Sequence, residues 1–225
     1  MTAVPTFTSN GNTVTLDVFP VASNGRHPAV LILHGSFGLM PQYRADIVSF
    51  ADALLAKGIA SAMPHYLQST GTEPGLGVLN LIPQNSPAWR QACSDALTVM
   101  AADTRFDAAR LGILGFSLGG HLGLSLAMDP PVGLTPRCVV DFFGPTRTLE
   151  PHWTKMPPLL VFHGADDLLV DPSESEYLVK QLEGVKKKDG IDYLYEPIKG
   201  QGHGFKDPEL TKSRDATVEF FKTRL

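Results

Sequence analysis

The sequence predicts an α/β protein with a mostly parallel central sheet and helices on both faces. Three observations lead there. Strand-like and helix-like patterns alternate along the chain instead of segregating. The strand candidate at 30–33 is a continuous apolar run, and the one at 159–163 is apolar up to His163, as strands buried on both faces are. Helical stretches carry one apolar stripe, as Ile47, Phe50, Leu54 and Leu55 do between 42 and 56.

Taken in order, residues 13–19 alternate Val14, Leu16 and Val18 and predict an edge strand. Residues 30–33 predict a central strand, and 42–56 a helix ended by Lys57-Gly58. Residues 59–63 form a strand stopped by Pro64, and 88–104 a second helix. Strand 111–114 runs into Gly115-Phe116-Ser117-Leu118-Gly119 and then a helical run, 120–128. Strands follow at 137–143 and 159–163, a helix at 172–182, a strand at 191–196 and an amphipathic helix at 208–224. Lys186-Lys187-Lys188 reads as a solvated loop. Two irregular stretches, 66–87 and 145–157, leave the C-terminal ends of strands, where open α/β sheets place their sites. They are the expected pocket walls. Neither is long enough for a separate lid, so a shallow, open site is expected.

The 225 residues fit one domain over 1–225, long enough for a sizeable core. A net charge of −4 argues against nucleic acid or an anionic membrane as partner. Cys93 and Cys138 lack metal spacing and are expected as buried free thiols. Residues 1–12 lack a basic segment followed by an apolar one, and no stretch is long enough to span a membrane. A cytoplasmic monomer or homodimer is the expectation.

The chemistry is concentrated at Ser117. Strand, Gly-x-Ser-x-Gly, helix is the setting of a nucleophile elbow, a turn so tight that only small residues fit two positions either side of the serine. A neutral hydroxyl needs a base within hydrogen-bond reach, and His203, in Gly200-Gln201-Gly202-His203-Gly204-Phe205, is the candidate. His121 competes but lies one turn along the helix that Ser117 opens. His34 and His163 end buried strands and read as structural hydrogen-bonding groups; His65 lines the pocket or faces solvent. The acid is Asp166 or Asp167, after the strand at 159–163. Asp171 reads as a helix N-cap before Pro172. The oxyanion donors are expected to be the backbone amides of Leu118 and of Ser36, in the loop His34-Gly35-Ser36-Phe37-Gly38.

With the order Ser, Asp, His, the chain resembles an α/β-hydrolase of the dienelactone hydrolase type. The resemblance runs from the strand before His34 to the helix after His203. Its most specific parts are Gly-Phe-Ser-Leu-Gly-Gly at 115–120, His-Gly-x-x-Asp-x-x-Val at 163–170 and Gly-x-x-His-Gly-Phe at 200–205. The second pattern selects Asp167 as the acid. The chain departs from dienelactone hydrolases at three positions: Ser117 replaces their cysteine, Gly35 a glutamate, and Asp207 an arginine that binds the substrate carboxylate. The resemblance implies hydrolysis of a small carboxylic ester or lactone by Ser117, His203 and Asp167, with no metal or organic cofactor. The alternatives are a dienelactone hydrolase acting on an anionic lactone, whose carboxylate Arg44, Arg90 or Arg147 would have to hold, and a silent binding protein on the same fold. A thioesterase or acyltransferase would use the same machinery.

Overall fold

A computed structural model describes residues 5–150, 152–189 and 192–225. In chain order the elements are β1 Thr6–Ser9, β2 Asn12–Phe19, β3 His27–Leu33, α1 Pro41–Leu55, β4 Ala60–Pro64, α2 Gly77–Ala102, β5 Phe106–Phe116 and α3 Leu118–Met128. They continue with β6 Val139–Phe142, β7 Leu159–Gly164, α4 Ser173–Asp189, β8 Tyr193–Ile198 and α5 Glu209–Lys222. The sheet runs β1-β2-β4-β3-β5-β6-β7-β8. β1 and β2 join antiparallel; β3 to β8 are parallel.

Alternation along the strands sorts the core into two layers. Leu31, Leu33, Ile113, Val139 and Val161 face α2, α3 and α4, while Val30, Ile32, Leu114, Val140 and Phe162 face α1 and α5. The α5 contact is close enough that a Cβ at Gly112 would press on the Phe221 ring. Cys93 and Cys138 are buried free thiols, as expected, and burial pushes Cys138 up to about 12.

Four expectations need correction. The strand at 13–19 is not the edge, because β1 covers it; β1 begins outside the apolar pattern and its first register pair is Thr6 with Thr15. α2 starts at Gly77, eleven residues before the expected helix, and holds both Pro83 and Pro87. Proline breaks a helix by removing an N–H and crowding the preceding turn. These two are four residues apart on the exposed face, while Val78, Trp89, Ala92 and Cys93 anchor the buried face. Residues 66–70 form a short 3-10 turn rather than an irregular loop. The lysine run belongs to the last turns of α4. Ile191 in the expected last strand, Pro151 in the second irregular stretch and residues 1–4 lie outside the described residues.

Candidate active site

β5 ends at Phe116 and α3 begins at Leu118, leaving Ser117 alone to turn the chain. Its backbone sits at φ 55° and ψ −118°, a conformation that side-chain-bearing residues rarely adopt. The surroundings hold it there. Ser117 N–H donates to the Phe142 carbonyl at 2.8 Å, and Ser117 C=O accepts from His121 N–H at 3.1 Å. A Cβ at Gly115 would overlap the Gly119 carbonyl, and one at Gly119 the Leu33 carbonyl. The small residues on either side are therefore required by contact, as the motif implied.

β7 and the loop before α5 bring the partners. His203 Nδ1–H donates to Asp167 Oδ2 at 2.7 Å, and Ser117 Oγ–H donates to His203 Nε2 at 2.9 Å. Asp167 is buried and Asp166 exposed. The carboxylate's other oxygen, Oδ1, accepts from Leu169 N–H at 2.8 Å and Val170 N–H at 3.0 Å. Burial alone would raise the Asp167 pKa; His163, His203 and these two amides outweigh it and hold the group well below the usual range. The Phe143 ring packs on the His203 ring with centroids 4.6 Å apart, and Phe143 is itself at φ 47°.

Ser36 is buried in the loop after β3 and lines the same cavity as Ser117. Its carbonyl is fixed by Gly75 N–H at 3.0 Å, and its own N–H has no acceptor among the described residues. Leu118 N–H belongs to the first turn of α3 and lacks an intrahelical acceptor. At Gly35, where the resemblance places a glutamate, a Cβ would stand only 3.3 Å from the Ser117 Cβ.

Ser117 and His203 open into a cavity of about 130 Å³. Its walls are not the stretches expected from sequence. They come from α1 (Tyr43, Asp46, Ile47, Phe50), from the end of β6 (Phe142, Phe143) and from Phe205 and Leu210. Residues from 66–74 instead line a separate hollow with His34 and His65. The Phe142-Phe143 pair was findable, because it ends a predicted strand as Ser117 does. The α1 residues carried no such signal.

The other histidines have partners elsewhere. His34 donates to the Gly35 carbonyl at 2.8 Å and stacks on Tyr66, and burial pushes its pKa down to about 4. His121 donates to the Pro145 carbonyl at 2.9 Å. His65 lies 3.4 Å from the Asp17 carboxylate. His163, Asp167 and Ser175 make a second imidazole–carboxylate–hydroxyl grouping, but His163 and Ser175 are fully buried and no substrate reaches them. Asp171 caps α4 through Ser173 N–H at 2.8 Å, as expected. Asp207 faces away from the cavity and accepts from Thr211 at the start of α5.

Asp141, on β6, is fully buried and neither oxygen has a hydrogen-bond partner. Burial pushes its pKa up to about 7, against the pull of the His163 charge and of the nearby Gly144 amide, which completes no hydrogen bond with it. The folded chain therefore holds this proton more tightly than the unfolded chain. Stability should fall as pH rises from about 4 to about 7 and then level off. Asp141→Asn is expected to raise the melting temperature by about 5 °C at pH 8, with the gain fading towards pH 4. Thermal melts of both proteins at the two pH values check this; an equal gain at both would refute it.

Fold and site together are those of an α/β-hydrolase, with a serine, a histidine and an aspartate in one hydrogen-bonded line. Within that class the chain belongs to the dienelactone hydrolase family, whose model matches residues 16–220. Among relatives, it is 30% identical over 131 residues to the non-reducing polyketide synthase ausA of Penicillium brasilianum, covering 57% of this chain and 5% of the synthase. The chain thus spans about a twentieth of the length of that relative. Among solved structures, puromycin hydrolase matches with a TM-score of 0.77 at 18% identity, over 98% of this chain and 39% of its own. A dienelactone hydrolase-like promiscuous phosphotriesterase from metagenomic libraries matches with a TM-score of 0.79 at 18% identity, over 99% and 97% of the two chains. At these identities the solved structures speak for the fold alone. No described helix is long and apolar enough to cross a membrane.

Proposed function

We propose that the chain hydrolyses small carboxylic esters or lactones through an acyl-enzyme on Ser117. The observation that carries this is the unbroken hydrogen-bonded line from Asp167 through His203 to a serine that opens into an apolar cavity. Ser117 Oγ attacks the carbonyl carbon as His203 Nε2 takes its proton. Asp167 holds the ring in the tautomer that leaves Nε2 free and stabilises the imidazolium that forms. The amides of Ser36 and Leu118 receive the developing oxyanion, Leu118 with help from the positive end of α3. His203 then returns the proton to the leaving oxygen and activates water for deacylation.

Family membership supports a lactone hydrolase of the dienelactone kind better than a broad short-chain esterase. The cavity lining supports an uncharged substrate within that frame. Among the described residues it holds no lysine or arginine, and its one ionisable carboxylate is Asp46. Arg44 is paired with Asp17, Arg90 with Asp129 and Arg147 with Glu174. Asp207, at the position of the family's carboxylate-binding arginine, does not line the cavity; Asp46 is the carboxylate that an anionic substrate would meet. Because Asp46 is exposed, water screens it, and the penalty on an anionic substrate is expected to be about tenfold in kcat/KM. The proposal includes a single domain over 1–225 working in the cytoplasm without a nucleic-acid partner, supported by the composition and the net charge of −4.

The test is a panel of p-nitrophenyl esters of increasing length with simple lactones, and a dienelactone beside its methyl ester. Acyl groups of about two to six carbons should be preferred, given the small cavity, and the methyl ester should exceed the free acid. Preference for twelve-carbon esters would overturn the size argument, and preference for the free acid the charge argument.

A further inference from the structure

His163 was expected only as a structural histidine. Its ring lies directly behind the acid. His163 Nε2 is 3.4 Å from Asp167 Oδ2, the same oxygen that His203 Nδ1–H meets at 2.7 Å, and His163 and the Asp167 side chain are fully shielded from solvent. Nε2–H donates chiefly to the Val170 carbonyl at 2.9 Å, which leaves the carboxylate as its second, longer acceptor. On the other side of the ring, Ser175 Oγ–H donates to Nδ1 at 2.6 Å. Ser175 stands in the first turn of α4, and that turn is tied to the loop after β6 by Glu174, which accepts from Thr146 N–H at 2.7 Å and Arg147 N–H at 2.8 Å. The ring therefore has no freedom to leave. With Leu169 and Val170 amides on Oδ1 and two imidazoles on Oδ2, the carboxylate is held from every side.

We propose that His163 is a positioning residue that fixes the Asp167 carboxylate against His203 and sets the acid limb of the pH–rate profile. The proposal rests on the Ser117–His203–Asp167 reading above. The titratable groups facing His163 are Asp167 and Asp171 from the loop after its own strand and Asp141 from β6; α4 presents the neutral Ser175, and β8 pairs Pro197 with it. Burial alone would lower the His163 pKa; Asp167, the Val170 carbonyl and Asp141 outweigh it and raise the group above its ordinary value. His163 thus adds an N–H donor, and positive charge when protonated, to the far side of Asp167. Both draw on the carboxylate's negative charge and make the His203 imidazolium harder to form. Without them His203 protonates more readily, so activity is lost at a higher pH on the acid side.

The experiment is the pH dependence of kcat/KM, with kcat and KM measured separately, for the wild type, His163→Gln, His163→Leu and Ser175→Ala. His163 does not line the cavity, so KM should stay within about twofold. The acid limb of His163→Leu should move up by about half a unit, with kcat down about tenfold or more. His163→Gln, whose amide still donates, should recover part of both, and Ser175→Ala should move in the same direction by less. A folded His163→Leu whose acid limb coincides with the wild type overturns the proposal, even where kcat falls. Where the His163 variants do not fold, nitrogen-15 histidine NMR on the wild-type chain decides it: coupled titrations of His163 and His203 support the proposal and independent ones overturn it. Fluorophosphonate labelling of the wild type, lost in Ser117→Ala, tests the underlying reading separately.

Discussion

Ser117→Ala is expected to lower turnover by on the order of 10⁶ and to leave the fold intact. The alanine keeps the Cβ, and with it the backbone that the Phe142 carbonyl and the two flanking glycines hold at φ 55°. What goes is the only hydroxyl that meets His203 Nε2 among the described residues. Ser175 cannot substitute, because its hydroxyl is buried and engaged by His163. The purified variant should show the wild-type circular dichroism spectrum and melting curve with no measurable ester hydrolysis. Activity within tenfold of wild type would remove Ser117 as the nucleophile.

Asp167→Asn should cost about 10⁴ in turnover, and Asp166→Asn close to nothing. The neighbours differ in placement alone. The Asp167 carboxylate is buried against His203 Nδ1, whereas Asp166 is exposed and contributes its backbone N–H to the Gln201 carbonyl. An asparagine at 167 can present its NH₂ to Nδ1. That favours the tautomer with the proton on Nε2, the wrong side for accepting one from Ser117. Paired measurements of kcat for the two variants on one short ester check the contrast. A larger loss in Asp166→Asn would move the acid to its neighbour.

The parts of the site that were legible in the sequence are those fixed by backbone. An elbow needs glycines at 115 and 119 because the chain crosses itself there, and such contact leaves a mark in the residue types. Asp167 was separated from Asp166 only by the resemblance, whose pattern runs from Gly164 to Val170, and in the structure Val170 N–H donates to its carboxylate. The cavity walls were not legible. Tyr43, Asp46, Ile47 and Phe50 follow an amphipathic stripe that also serves ordinary packing, and nothing local distinguishes a phenylalanine facing a cavity from one facing core. α2 was misplaced for a related reason. Pro83 and Pro87 carry a strong local signal against helix, and the burial of Val78 and Trp89 that overrides it is a tertiary fact. His163 makes hydrogen bonds as its reading as a structural histidine implied, but one partner, Ser175, lies twelve residues on, across the loop after β7.

The chemistry and the cavity walls are borne by different parts of the chain. On the proposed reading the nucleophile, the acid, the base and both amides come from segments after β3, β5, β7 and β8, whereas much of the opposite wall is the N-terminal half of one helix, α1. Tyr43 and Asp46 on that helix are exposed, so replacing them removes little buried surface. Substrate choice can therefore drift among descendants of this sequence through a few surface positions while the reaction stays constant. Two such proteins could share every reacting group and still accept different acids, and the turn of helix between Tyr43 and Asp46 is where their divergence would be written.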